Sequence, residues 1–100
     1  MHALSAVLFS LFLLAPVSAQ GWLGVYLGAT DEGAVVTEGV PDSPAARAGI
    51  EAQDVLLAIG DTETPTAEAV VAAIGSREAG DRVRIRLRRG ERTRTVAVKL

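Results

Sequence analysis

Arg82-Val83-Arg84-Ile85-Arg86-Leu87-Arg88 alternates charged and aliphatic residues without a break. A period of two puts every arginine on one face of a strand and every aliphatic side chain on the other. A segment patterned this way folds as a half-buried antiparallel strand, wet on one side and packed on the other. Arg89-Gly90-Glu91 turns the chain. Thr93 to Leu100 then returns, with Thr95, Ala97 and Lys99 alternating against Val96, Val98 and Leu100. A lone hairpin is marginal in water, so the rest of the chain must supply further strands and a cover.

The remaining punctuation supplies them. Trp22 to Leu27 reads as a first strand, Gly28 to Gly33 as a polar turn, and Ala34 to Glu38 as a β-branched second strand. Ser43 followed by Pro44 marks a helix start, because the hydroxyl can cap and proline suits the first helical position. Ala45 to Ala48 gives about one turn, and Gly49 stands where a left-handed cap belongs. Asp54 to Ile59 is a third strand, bounded by Gly60-Asp61. Thr66 caps a second helix from Ala67 to about Ile74, with Gly75 as its stop. Ala67, Val70, Val71 and Ile74 recur at helical spacing and share one face. The expected fold is α+β: a few antiparallel strands that curl, with two helices plugging the open ends.

The first 19 residues read differently. Ala3 to Val17 is an apolar run interrupted only by Ser5, Ser10 and Pro16, and it ends in Val17-Ser18-Ala19. This pattern predicts a secretory signal peptide cleaved after Ala19, leaving a domain over residues 20–100. The run is shorter than the roughly 20 apolar residues of a membrane span. Met1-His2 lacks the usual positive charge, so an uncleaved membrane anchor is the alternative. The expected location is the periplasm or the outside of the cell. The chain has no cysteine, which excludes disulfides and thiolate metal sites, so the small core must suffice alone. A formal net charge of -2 gives no general attraction to nucleic acid or acidic lipid.

Gly33-Ala34-Val35-Val36-Thr37, Pro41-Asp42-Ser43-Pro44-Ala45-Ala46-Arg47-Ala48-Gly49-Ile50, Asp54-Val55-Leu56-Leu57-Ala58-Ile59-Gly60 and Gly80-Asp81-Arg82-Val83 together resemble a PDZ domain. The likeness is to the bacterial type attached to trypsin-like envelope (high-temperature-requirement) proteases and carboxyl-terminal processing proteases. It runs from about Gly21 to Leu100. It implies a partly open antiparallel barrel or sandwich of five to six strands capped by two helices. Two positions depart from the pattern. Gln53 stands where the family usually has glycine, and Gly39 where it tends to have an apolar residue.

The resemblance also implies a site. The family's carboxylate-binding loop maps onto Leu23, Gly24 and Val25, whose N–H groups would receive a peptide's terminal carboxylate. The strand Val25-Tyr26-Leu27 would pair with that peptide, and Trp22, Ala67 and Val71 would complete the groove. Trp22 could equally be a core or rim residue. Glycine lets a backbone approach a ligand closely, successive free N–H groups hold anions, and an open strand edge accepts an extended peptide. The function implied is that of an exported peptide-binding or scaffolding module for protein C-termini or extended segments. The alternative is a non-catalytic regulatory subunit, or a detached piece, of an envelope serine protease acting in trans.

Catalysis finds little support in the residues. The one histidine, His2, lies in the leader, and Ser43 and Ser76 have no base to activate them. The carboxylates are scattered through turns, and no metal-ligand or phosphate-loop pattern occurs. No cofactor is expected. The arginines from Arg82 to Arg94 read first as a solvated face that blunts edge pairing, and second as a patch for acidic partners.

Overall fold

The computed structural model describes residues 20–100; the expected signal peptide, its cleavage point and the alternative anchor all lie outside the described residues. The elements are β1 (Val25–Thr30), β2 (Gly33–Gly39), α1 (Pro44–Ala48), β3 (Val55–Ile59), β4 (Thr62–Glu63), α2 (Ala67–Gly75), β5 (Arg82–Arg89) and β6 (Arg92–Lys99). They form a single antiparallel sheet in the order β1-β2-β3-β5-β6, with the short β4 paired to β3. The sheet is not closed, and two helices accompany it, which agrees with the expected α+β class.

The alternation of β5 works as its pattern demands. Val83, Ile85 and Leu87 are buried, while Arg82, Arg84 and Arg86 are exposed. Leu56, Ile59, Ile85, Leu87, Val36, Val70 and Val98 form the fully buried centre. The middle strand β3 is covered on both faces, which suits its uninterrupted Val-Leu-Leu-Ala-Ile run.

Both helix starts are capped as their residues require. Ser43 Oγ accepts from the Ala46 N–H at 3.1 Å, and Thr66 Oγ1 from the Ala69 N–H at 3.1 Å. Gly49 closes α1 at φ 85°, and the next N–H, that of Ile50, returns to the Ala45 carbonyl. The stop of α2 differs from the expectation. Gly75 is still helical, and Ser76 ends the helix in a right-handed conformation. Its N–H reaches the Ala72 carbonyl and its hydroxyl donates to the Ala73 carbonyl, so the last turn needs no left-handed residue.

Strand boundaries moved for local reasons. β1 begins at Val25 rather than Trp22, because Gly24 at φ 87° bends the chain just before it. β1 then continues through Gly28 and Ala29. The turn shrinks to Asp31-Glu32, held by Thr30 Oγ1 donating to the Gly33 carbonyl and accepting from the Glu32 N–H. Strand β4, only two residues long, carries no strand pattern of its own.

Asp54 is buried at the start of β3 and ties three segments together. Arg89 grips it with Nε on Oδ1 and Nη2 on Oδ2, both at 2.8 Å, and Nη2 also donates to the Gly49 carbonyl. The Glu51 N–H donates to Asp54 Oδ2 at 2.8 Å. Burial pushes the Asp54 carboxyl up. The bonds from Arg89 and the Glu51 N–H, with the charges of Arg89 and Arg94, outweigh that and hold it below its ordinary value. Gln53, just before, sits at φ 77°, the left-handed region that glycine occupies more easily.

Candidate functional site

A groove of about 230 Å³ runs between the outer edge of β1 and α2. Among the described residues, strand β1 ends the sheet and pairs only with β2, which leaves its other edge unpaired. Trp22, Leu23, Val25 and Leu27 line one wall, and Val70, Val71 and Ile74 the other; Gln20, Gly21, Gly24 and Gly75 complete the lining. None of these side chains carries a charge.

The loop before β1 is fixed from behind. The Gly21 N–H donates to the Arg77 carbonyl at 2.7 Å. The Leu23 carbonyl accepts from Ala45 at 2.9 Å, and the Gly24 carbonyl from Val40 at 2.8 Å. The carbonyls of Leu23 and Gly24 are therefore engaged by the protein. The N–H groups of Leu23 and Gly24 donate to no group among the described residues.

The register of β1 extends this row. Val25 lies opposite Gly39, and the neighbouring bond runs from Val40 to Gly24. Val25 therefore occupies a non-hydrogen-bonded position, and its own N–H and C=O face away from β2. Leu27 lies opposite Val36, whose N–H and C=O are engaged by Asp54 and Gln53 on the far side. The main-chain groups of Leu27 thus also face the open edge. The result is three consecutive N–H groups at one end of an apolar groove, followed by a strand with alternate groups available for pairing.

Of the residues expected at the site, Trp22, Leu23, Gly24, Val25, Leu27 and Val71 come together here. Trp22 is 56% exposed at the mouth of the groove, and Val71 is 65% exposed on its helical wall. Tyr26 does not join them. It alternates with Val25 and Leu27, so its side chain lies on the opposite face of β1. Ala67 does not line the groove either; with Glu68, Val71 and Ala72 it borders a separate shallow hollow. Val70 and Ile74, on the helix's apolar face but outside the expected site, also line the groove. Their i, i+4 spacing, one residue behind Val71, was the available signal.

Among the described residues, no group of three or more His, Cys, Asp or Glu side chains is placed to hold a metal ion. No described helix is long and apolar enough to cross a membrane.

Comparisons with known proteins fit this geometry. A family model described as PDZ domain matches residues 21–100. The HtrA-type protease AlgW, solved with a decapeptide, superposes with a TM-score of 0.78 at 25% identity, over 93% of this chain and 32% of that one. A serine endoprotease from Yersinia pestis superposes with a TM-score of 0.76 at 21% identity, over 98% of this chain and 35% of that one. An aminopeptidase N family protein from Idiomarina loihiensis gives 0.72 at 25% identity, over 81% of this chain and 14% of that one. The chain thus spans about a third of the length of the two proteases. Comparison with curated protein sequences finds no significant match. Fold, groove and family model agree, and the chain belongs to the PDZ domain family, a family of peptide-binding modules.

Proposed function

We propose that this PDZ domain captures the free C-terminus of a protein as an added strand beside β1. The N–H groups of Leu23, Gly24 and Val25 receive the terminal carboxylate, and the last side chain enters the apolar groove facing Val70 and Ile74. The observation that carries this reading is that the Leu23 and Gly24 carbonyls are engaged behind the loop while the N–H groups of the same two residues have no acceptor among the described residues.

The energetics describe a reversible binder. Main-chain bonds contribute about 0.5–1.5 kcal/mol each net, and those to a carboxylate are stronger. Burying one apolar side chain adds about 1.5–3 kcal/mol. After ordering costs, affinity falls near the micromolar scale, about -8 kcal/mol. Fluorescence polarisation with matched free-acid and C-terminally amidated peptides ending in an apolar residue tests the reading. Preference for the free acid is expected, and equal binding of the two would rule out carboxylate capture.

The proposal extends to export, supported by the apolar run Ala3 to Val17 and its Val17-Ser18-Ala19 ending. The ligands would then be proteins of the periplasm or the cell exterior. Mass spectrometry of the protein from the producing cell checks this; an N-terminus at Gln20 is expected, and an intact Met1 would contradict cleavage.

A further inference from the structure

A second concave surface lies away from the groove. A hollow of about 190 Å³ separates α1 from β6 and is lined by Pro44, Arg47, Ala48, Ala97 and Lys99. The register of the β5–β6 hairpin sets Arg84 directly opposite Ala97 and Arg82 directly opposite Lys99. Directly opposed residues of an antiparallel pair project from the same face. Arg47 and Lys99 therefore line the hollow, and Arg82 and Arg84 share the hairpin face on which Ala97 and Lys99 border it.

None of the four forms an ion pair among the described residues. Arg47 donates only to the main-chain carbonyl of Asp42. Further along the same row the situation reverses, since Arg86 holds Glu63 at 3.2 Å and Arg88 pairs with Glu32. The row thus already takes carboxylates where the chain itself supplies them, one of them from the extended strand β4. Where the described residues supply none, Arg82 and Lys99 stand opposite each other, an arrangement of like charges that disfavours the hairpin.

We propose that this hollow is a docking surface for an acidic, extended segment of a partner protein, separate from the peptide groove. Arg84 and Arg82 repeat every second residue, about 7 Å apart along the strand. Alternate carboxylates of an extended acidic segment have the same repeat. Guanidinium forks engage such carboxylates through paired hydrogen bonds. The methylenes of a bound glutamate lie against Pro44, Ala48 and Ala97. Partner carboxylates would also relieve the opposition of Arg82 and Lys99.

The test uses a peptide of alternating Glu and Thr, amidated so that it offers no terminal carboxylate to the groove, and its Gln-Thr counterpart. The protein should bind the Glu peptide and not the Gln peptide, with affinity falling about tenfold or more between low and physiological salt. In R84Q/K99Q, affinity for the Glu peptide should fall about tenfold, with the thermal midpoint unchanged or raised. Equal binding of the two peptides, or undiminished binding by R84Q/K99Q, would overturn the proposal. So would binding only to vesicles of phosphatidylglycerol and phosphatidylcholine, which would identify a lipid surface instead.

Discussion

A Cβ added to Gly24 would lie 2.2 Å from the Cβ of Ser43, the residue that caps α1. Gly24 also holds φ at 87°. The loop at the head of the groove is therefore shaped by a helix cap on its far side. The carbonyl bonds of Leu23 and Gly24 hold it from the same side, and the N–H groups of those two residues have no acceptor among the described residues.

Replacing Gly24 by alanine should cost about 2 kcal/mol or more, from left-handed strain and overpacking together. Peptide binding should be lost with it. Adding Ser43→Gly removes the clash but not the φ strain, so it should restore part of the stability. Urea unfolding of the two single variants and the double variant measures that coupling; strict additivity would show that Ser43 is not the obstacle.

Val71 offers a cleaner probe of the groove, because it is 65% exposed and supports little of the core. Val71→Ala should leave stability within about 0.5 kcal/mol. It should weaken peptide binding by about 1 kcal/mol, roughly fivefold. Unfolding curves and polarisation titrations of the same sample separate the two effects.

Asp54 and Arg89 link the end of α1, the start of β3 and the end of β5. Arg89→Met leaves the buried Asp54 carboxylate without its cation and should cost about 3 kcal/mol; Asp54→Asn leaves Arg89 partly exposed and still paired with Glu51, and should cost less. The wild-type pair also sets an acid limit. The Asp54 carboxyl is held below its ordinary value of 3.8 in the folded protein. Its contribution is fully present above that unfolded-state value, and it disappears as pH falls through the lower folded value. Denaturant midpoints measured between neutral pH and pH about 2 should show the drop in wild type and a smaller one in Asp54→Asn.

Gln53 adopts φ 77° on an exposed loop. Gln53→Gly relieves left-handed strain of about 1–2 kcal/mol and loses about 0.5–1 kcal/mol to the freer unfolded chain. A net gain of about 0.5 kcal/mol in chemical denaturation is expected.

Residue order alone carried the features with local causes. Ser43-Pro44 and Gly49 delimit α1 through capping chemistry that acts within a few residues. The Arg82 to Arg88 alternation fixes which face of β5 is buried. The departure at Gln53 was visible because a left-handed position there favours glycine. What depends on distant neighbours was not legible. Val71 shares a helical face with Val70 and Ile74, yet α2 packs on the sheet at one side only, so Val71 stays exposed beside the groove. Strand β4 exists because β3 offers it an edge, not because Thr62-Glu63 favours a strand. Tyr26 is a different case. The two-residue period of β1 puts it opposite Val25 and Leu27, so its absence from the groove could have been read from the sequence.

The most direct measurement is an amide proton–nitrogen NMR titration with a free-acid peptide ending in an apolar residue and its amidated twin. The N–H signals of Leu23, Gly24 and Val25 should shift downfield with the free acid and far less with the amide, as charge-assisted bonds to a carboxylate require. Shifts of the same size with both peptides, or shifts confined to residues outside the groove, would contradict capture of a C-terminus by this loop.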